Sequence, residues 1–216
     1  MTSCDPAPLP RFDVAFGDQL AELFRWRRDV RHFRTDALPA GMIETLLDLA
    51  NLSPSVGLSQ PWRFVTVDAP ERRAAIRHNF EACNAQALSA QADGRAATYA
   101  RLKLAGLDQA PCHLAVFVED DPVQGGGLGR RTMPETVAFS AVMAVHTLWL
   151  AACAAGIGLG WISILDPREV TAALDVPLEW RFLGYFCLGY PAVAREIPEL
   201  ETEGWETRHP VRWLTR

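Results

Sequence analysis

Cysteine is sparse and scattered in this chain: Cys4, Cys83, Cys112, Cys153 and Cys187 are odd in number and contain no C-x-x-C pair. Disulfide frameworks need an even, closely spaced set and zinc sites need clustered ligands, so neither is expected and the thiols read as reduced. Positive charge is not in excess either. The 21 Lys and Arg against 26 Asp and Glu leave a net charge of −5, the wrong sign for non-specific binding to nucleic acid. No hydrophobic stretch of signal length opens the chain, because Met1 to Phe16 is polar and proline-spotted; export is not expected, and the cytoplasm is. One apolar run, Val137 to Ala155, is long enough to raise the question of a membrane span. Ser140, His146 and Thr147 interrupt it, and it reads as a buried helix, not as a membrane contact. Two glycine clusters also fail as nucleotide motifs. Gly125-Gly126-Gly127-Leu128-Gly129 lacks the lysine and hydroxyl of a P-loop and reads as a mobile loop, while Gly156, Gly158 and Gly160 follow a helix and precede a strand, the reverse of the dinucleotide order.

What remains is one domain over residues 1–216, with 49% hydrophobic and 22% charged residues, enough chain and apolar content for a sizeable core. Residues 1–16 read as a flexible N-terminal segment. Helices are expected from Asp18, over Gly41 to Leu52, from Pro70 to about Gln91 and from Pro134 onward; strands are expected at Arg63 to Val67, Ala115 to Val118 and Phe182 to Leu188. In the second helix Ile43, Leu46, Leu47 and Ala50 share one face.

Two local clusters carry chemistry. In Arg27-Arg28-Asp29-Val30-Arg31-His32-Phe33, three guanidinium groups crowd around one carboxylate. Their forked donors suit phosphate oxygens, and the same run also suits a solvated basic face. An acid among arginines is expected to stay ionised. The second cluster, Ser53-Pro54-Ser55-Val56-Gly57-Leu58-Ser59-Gln60-Pro61-Trp62, supplies small hydroxyls between a helix and a strand, as a binding loop or an ordinary turn does.

In this order and separation the two clusters resemble the early arginine-rich and later Pro-Ser-x-x-Asn-x-Gln-Pro-Trp motifs of the nitroreductase-like FMN flavoproteins. The runs from Gly156 to Ser163 and from Leu188 to Pro191, followed by Arg195, fall where that family places them, so the resemblance covers residues 20 to 196. It implies an α/β (α+β) fold: a central, mostly antiparallel sheet flanked by helices, in an intertwined homodimer with the flavin at the subunit interface. Residues 196–216 would form an arm packed on the partner. The FMN contacts it implies are Arg27, Arg28, Asp29, Val30, Arg31, Ser55, Leu104, Ser163 and Arg195.

Two departures from the family pattern bear on function. Asp29 stands where most members carry Ser or Thr, and Leu58 where they carry Asn. With Phe24-Arg25-Trp26 and Trp161 to Pro167, these departures look like the branch of the family that fragments reduced FMN. That branch uses dioxygen to yield 5,6-dimethylbenzimidazole, the lower ligand of cobalamin, and erythrose 4-phosphate. FMN is then substrate; Asp29 removes a proton from the ribityl chain, which an alcohol cannot do at neutral pH. Ser163 positions the oxidised flavin by hydrogen bonding. NAD(P)H is a possible source of the reducing equivalents, through a separate flavin reductase. Two other functions suit the same clusters: an NAD(P)H-dependent nitroreductase or flavin reductase that returns FMN intact, and a flavin-binding protein without turnover.

Overall fold

A computed structural model of the chain describes residues 10–90, 98–99 and 105–216. Its frame is a four-stranded sheet ordered β1-β2-β4-β3, every neighbouring pair antiparallel. The strands are β1 (Trp62–Thr66), β2 (Cys112–Glu119), β3 (Gly158–Ile162) and β4 (Trp180–Gly189). In the central strands, side chains alternate between two buried faces. Leu114, Val116, Phe186 and Leu188 enter one core, while Ala115, Phe117, Tyr185 and Cys187 enter the other. Burial on both faces explains why these strands read as continuous apolar runs rather than alternating ones.

Helices α2 (Met42–Ala50) and α5 (Thr136–Ala154) cover the first face, and α3 (Pro70–Ser89), α4 (Gly106–Gln109) and α6 (Pro167–Leu174) the second. Helix α2 buries Leu46 and Ala50, with Ile43 and Leu47 packed beside them, as the periodicity predicts. The polar α3 buries only Ile76 and Asn79. The Asn79 amide brackets the backbone of Asp166, donating to its carbonyl at 3.0 Å and accepting from its N–H at 2.8 Å. Asp166 in turn caps α6, its carboxylate accepting from the Arg168 N–H at 2.8 Å. The Asp166-Pro167 pair is a helix-start signal that the sequence reading passes over.

Helix α1 (Val14–Trp26) begins four residues before the expected Asp18, because the Asp13 carboxylate accepts from the Phe16 N–H at 2.8 Å and caps it. A short helix α7 (Glu199–Thr202) follows β4.

Helix α5 is a core helix on one face only. Val137, Ala141, Ala144, Val145, Leu148 and Ala152 are buried, but Phe139, Val142 and Met143 on the outer face are exposed. The helix is the core helix the sequence predicts, packed on its own sheet, and it leaves a second apolar face uncovered. All four glycines at 125–129 hold positive φ, and two of them press on the loop at Ser55–Gln60: a Cβ on Gly125 would lie 2.6 Å from the Gly57 carbonyl oxygen and one on Gly129 2.9 Å from the Val56 side chain. Gly125 and Gly129 thus serve close packing.

Inside the second core, His113 Nδ1 lies 2.9 Å from the Tyr185 hydroxyl, and burial pushes its pKa down to about 4. An unfolded histidine titrates near 6.5. The unfolded chain therefore binds more protons between these values, and stability falls as pH drops below about 6.5. The expected cost at pH 4 is about 3 kcal/mol, since a tenfold change in proton affinity is worth roughly 1.4 kcal/mol. Urea unfolding of the wild type and of His113→Phe across pH 4–7 checks this: the variant should lose most of that slope.

Candidate active site

The chain between α1 and α2 is pinned into the sheet by its backbone. Asp29 forms a parallel bridge with Leu159 of β3, and Phe33 an antiparallel one with Pro191 after β4. The Val30 N–H donates to the Leu159 carbonyl at 3.1 Å, and the Arg34 N–H donates to that of Tyr190 at 2.8 Å. The Phe33 N–H donates to Gln109 Oε1 at 3.1 Å. This explains the glycines of β3. A Cβ on Gly160 would lie 2.1 Å from the Val30 carbonyl oxygen and one on Gly158 2.8 Å from the Val30 side chain, so β3 stays bare to let residues 28–33 cross it.

That crossing aims its side chains into a cleft of about 310 Å³, at the small end of the range for ligand pockets. Arg28, Asp29, Val30, Arg31 and Arg195 line it together, with Trp149 and Cys153 of α5, the turn before β3, and Glu199. Arg27 stacks at its side, the guanidinium 4.9 Å from the Trp149 ring centre. The Trp149 indole N–H donates to the Arg28 carbonyl at 3.0 Å, and Arg28 Nε donates to the Glu196 carbonyl at 2.6 Å. These bonds tie α5 and the segment after β4 to the arginine cluster. Trp149, Gln109 and Glu199 escape sequence reasoning because each reaches the cluster from far along the chain, with no local spacing to mark it.

Asp29 is fixed at one oxygen and open at the other. Oδ1 accepts from the Trp161 N–H at 2.8 Å, while Oδ2 meets Arg31 Nε at 3.7 Å, beyond hydrogen-bond distance. Burial raises its pKa above the usual carboxylate value, against the opposing pull of the Trp161 N–H, Arg31 and Arg27; Glu199 adds to the rise. The arginines alone would move it the other way. A carboxylate lifted in this way is a better proton acceptor once ionised.

The other predicted residues lie elsewhere. Ser55 is not in the cleft: its Oγ accepts from the Gln60 N–H at 3.1 Å, and the next N–H, of Val56, donates to Ser140 Oγ near the start of α5. The Ser55 loop is held in a tight form, with Gly57, Leu58 and Gln60 all at positive φ. Gln124 Nε2 donates to the Leu58 carbonyl at 2.7 Å and to Gln60 Oε1 at 3.0 Å. Ser163 is exposed, one residue past β3 and two past Trp161. Leu104 lies outside the described residues. Among the described residues no group of His, Cys, Asp and Glu could hold a metal.

Comparison with known proteins agrees with this geometry. The nitroreductase family model matches residues 24–190. The chain is 56% identical over 201 residues to the 5,6-dimethylbenzimidazole synthase of Rhodospirillum rubrum, covering 93% of this chain and 95% of that protein. It is 46% identical over 205 residues to the enzyme of the same name from Rhodobacter capsulatus, covering 95% and 99%. Its fold also superimposes on an oxidised iodotyrosine deiodinase bound to FMN and 3-iodo-L-tyrosine, with a TM-score of 0.73 and 25% identity over 91% of this chain and all of that one. With its antiparallel sheet, its arginine cleft and a family match that spans both predicted clusters, the chain belongs to the nitroreductase family.

Proposed function

We propose that the chain is a 5,6-dimethylbenzimidazole synthase, which fragments reduced FMN with dioxygen into 5,6-dimethylbenzimidazole and erythrose 4-phosphate. The observation that carries this is the carboxylate of Asp29, seated in the arginine cleft with one oxygen anchored and the other open. A hydroxyl at that position would orient a flavin; a carboxylate can also take a proton from it. The high identity to the two synthases supports the same reading.

FMN is here the substrate. Arg31 and Arg195, with Arg27 at the side, offer forked donors to its phosphate; Arg28, whose Nε and Nη1 donate to the Glu196 and Arg27 carbonyls, keeps Nη2 for it, and Val30 supplies an apolar flavin contact from the same cleft. Asp29 accepts the proton from the first carbon of the ribityl chain. Ser163, at the exposed end of β3, hydrogen-bonds the flavin during its oxidation, and Leu104 adds an apolar contact. Dioxygen is the co-substrate. NAD(P)H supplies electrons indirectly, through a separate flavin reductase, in the cytoplasm.

The site is completed by a second copy of the chain. Ser55 sits beside Ser140, whereas the cleft lies at Trp149 and Cys153, about 14 to 20 Å further along α5 at 1.5 Å per residue. The bare apolar face of Phe139, Val142 and Met143 lies at the Ser140 end of α5, and the exposed His146 continues it toward the cleft. Pairing two α5 helices antiparallel about a two-fold axis near His146, midway between Ser140 and the cleft, sets the Ser55 loop of one subunit against the arginine cleft of the other. The arm at 196–216 divides accordingly. Ile197 and Glu199 line the chain's own cleft and Trp205 lies 6.1 Å from Tyr99, which leaves the extended 207–216 to reach the partner.

Flavin recovery tests the function. Enzyme mixed anaerobically with reduced FMN and then exposed to air should fail to return the flavin absorbance, one FMN being lost per turnover. Full return of oxidised FMN would instead mark a reductase or a simple flavin carrier.

A further inference from the structure

We propose that Glu199 is a positioning residue for Asp29: from the segment that follows β4 along the cleft, its carboxylate sets a second negative charge in the space Asp29 shares with the arginines and leaves Asp29 free to accept a proton. This rests on the function proposed above and adds a residue to it.

The placement is built, not incidental. Helix α7 carries Glu199 at its first position, and the segment leading to it is anchored to the arginine cluster by the bond from Arg28 Nε to the Glu196 carbonyl. Pro191, Val193, Arg195 and Ile197 line the cleft on the way. Glu199 is half-buried and shares the cleft with Arg28, Asp29, Arg31 and Arg195. Two carboxylates thus face three guanidinium groups, with Arg27 drawn aside onto Trp149.

The effect on Asp29 follows from charge. Arg27 and Arg31 on its own segment favour its ionised form, as does the Trp161 N–H of β3. Glu199 opposes them, and the buried Cys187 thiol of β4 also lies within electrostatic reach. A base clamped by arginines is a poor base, since every stabilising contact to its carboxylate must be weakened when the proton arrives. When a phosphate also occupies the arginines, Glu199 is the protein's own negative charge left beside Asp29.

The test uses the full-length protein. In Glu199→Gln the Asp29 carboxyl, followed by carbon-13 NMR without flavin, should titrate at lower pH than in the wild type. Glu199→Lys should move it further the same way, and Glu199→Asp should restore it. With reduced FMN and air, single-turnover product formation by Glu199→Gln should show its acid limb displaced downward and its plateau reduced. A uniform loss of rate with an unmoved limb and an unmoved Asp29 titration would overturn the proposal, as would an unmoved titration in a variant of full activity. The NMR readout decides the role of Glu199 even if the wild type forms no benzimidazole, an outcome that would sink the function instead.

Discussion

Asp29→Asn is expected to keep FMN binding and to lower formation of 5,6-dimethylbenzimidazole about 10²- to 10⁴-fold, the range for losing a general base. The substitution is close to isosteric, and an Asn Oδ1 can still accept from the Trp161 N–H as Asp29 Oδ1 does at 2.8 Å. The bridge to Leu159 is made by backbone and survives as well. What is lost is the open oxygen facing the cleft, which as an amide has no useful proton affinity. That fold-change corresponds to about 3 to 5 kcal/mol in the barrier. Asp29→Ser should behave similarly in product formation while resembling the commoner family pattern. The wild type adds a sign: because burial lifts the Asp29 pKa, activity should fall as pH drops through a limb above the ordinary carboxylate range. Loss of FMN binding in both variants would contradict the assignment of Asp29 as base, since it would make the residue a scaffold for the arginines.

Subunit complementation should give the second large effect. Ser55→Glu places a negative charge at the loop proposed to meet the flavin from the partner, and Asp29→Asn disables the cleft; each variant alone should be nearly inactive. Mixed in equal amounts by co-expression, half of the dimers are heterodimers. In a shared-site dimer each heterodimer carries one doubly damaged site and one wild-type site. Activity should therefore return to about one quarter of the wild-type value, a statistical consequence of the two-fold geometry. If both halves of the site came from one chain, no combination would restore a whole site and activity would stay at the level of the single variants. The bare face of α5 makes the shared arrangement physically reasonable, because Phe139 and Met143 are roughly half exposed in the single chain.

The parts of this site that are local in sequence were the parts legible in it. Arg27 to Phe33 and Ser53 to Trp62 are continuous runs with their own chemistry, and helix α2 and strand β1 between and beside them follow from periodicity. The all-antiparallel sheet is consistent with the family resemblance. The rest depends on distant partners. Nothing near Asp29 announces that Trp161 will cap its oxygen or that burial will outweigh two arginines. The glycines of β3 read only as a passage from a helix to a strand until Val30 is found lying across Gly158 and Gly160. Helix α5 is legible as a core helix from its apolar composition, but composition does not say which part of its circumference its own chain covers. Glu199, in an acidic stretch near the end of the chain, reads as surface charge until the bond from Arg28 to the Glu196 carbonyl folds that stretch against the cleft.

The most direct measurement is the product. The purified protein should be given reduced FMN in air and the mixture examined by liquid chromatography with mass detection. A fragmenting enzyme yields 5,6-dimethylbenzimidazole in step with the FMN consumed, and Asp29→Asn yields almost none. Intact FMN as the sole flavin species after many turnovers, with no benzimidazole in the wild type, would contradict the account.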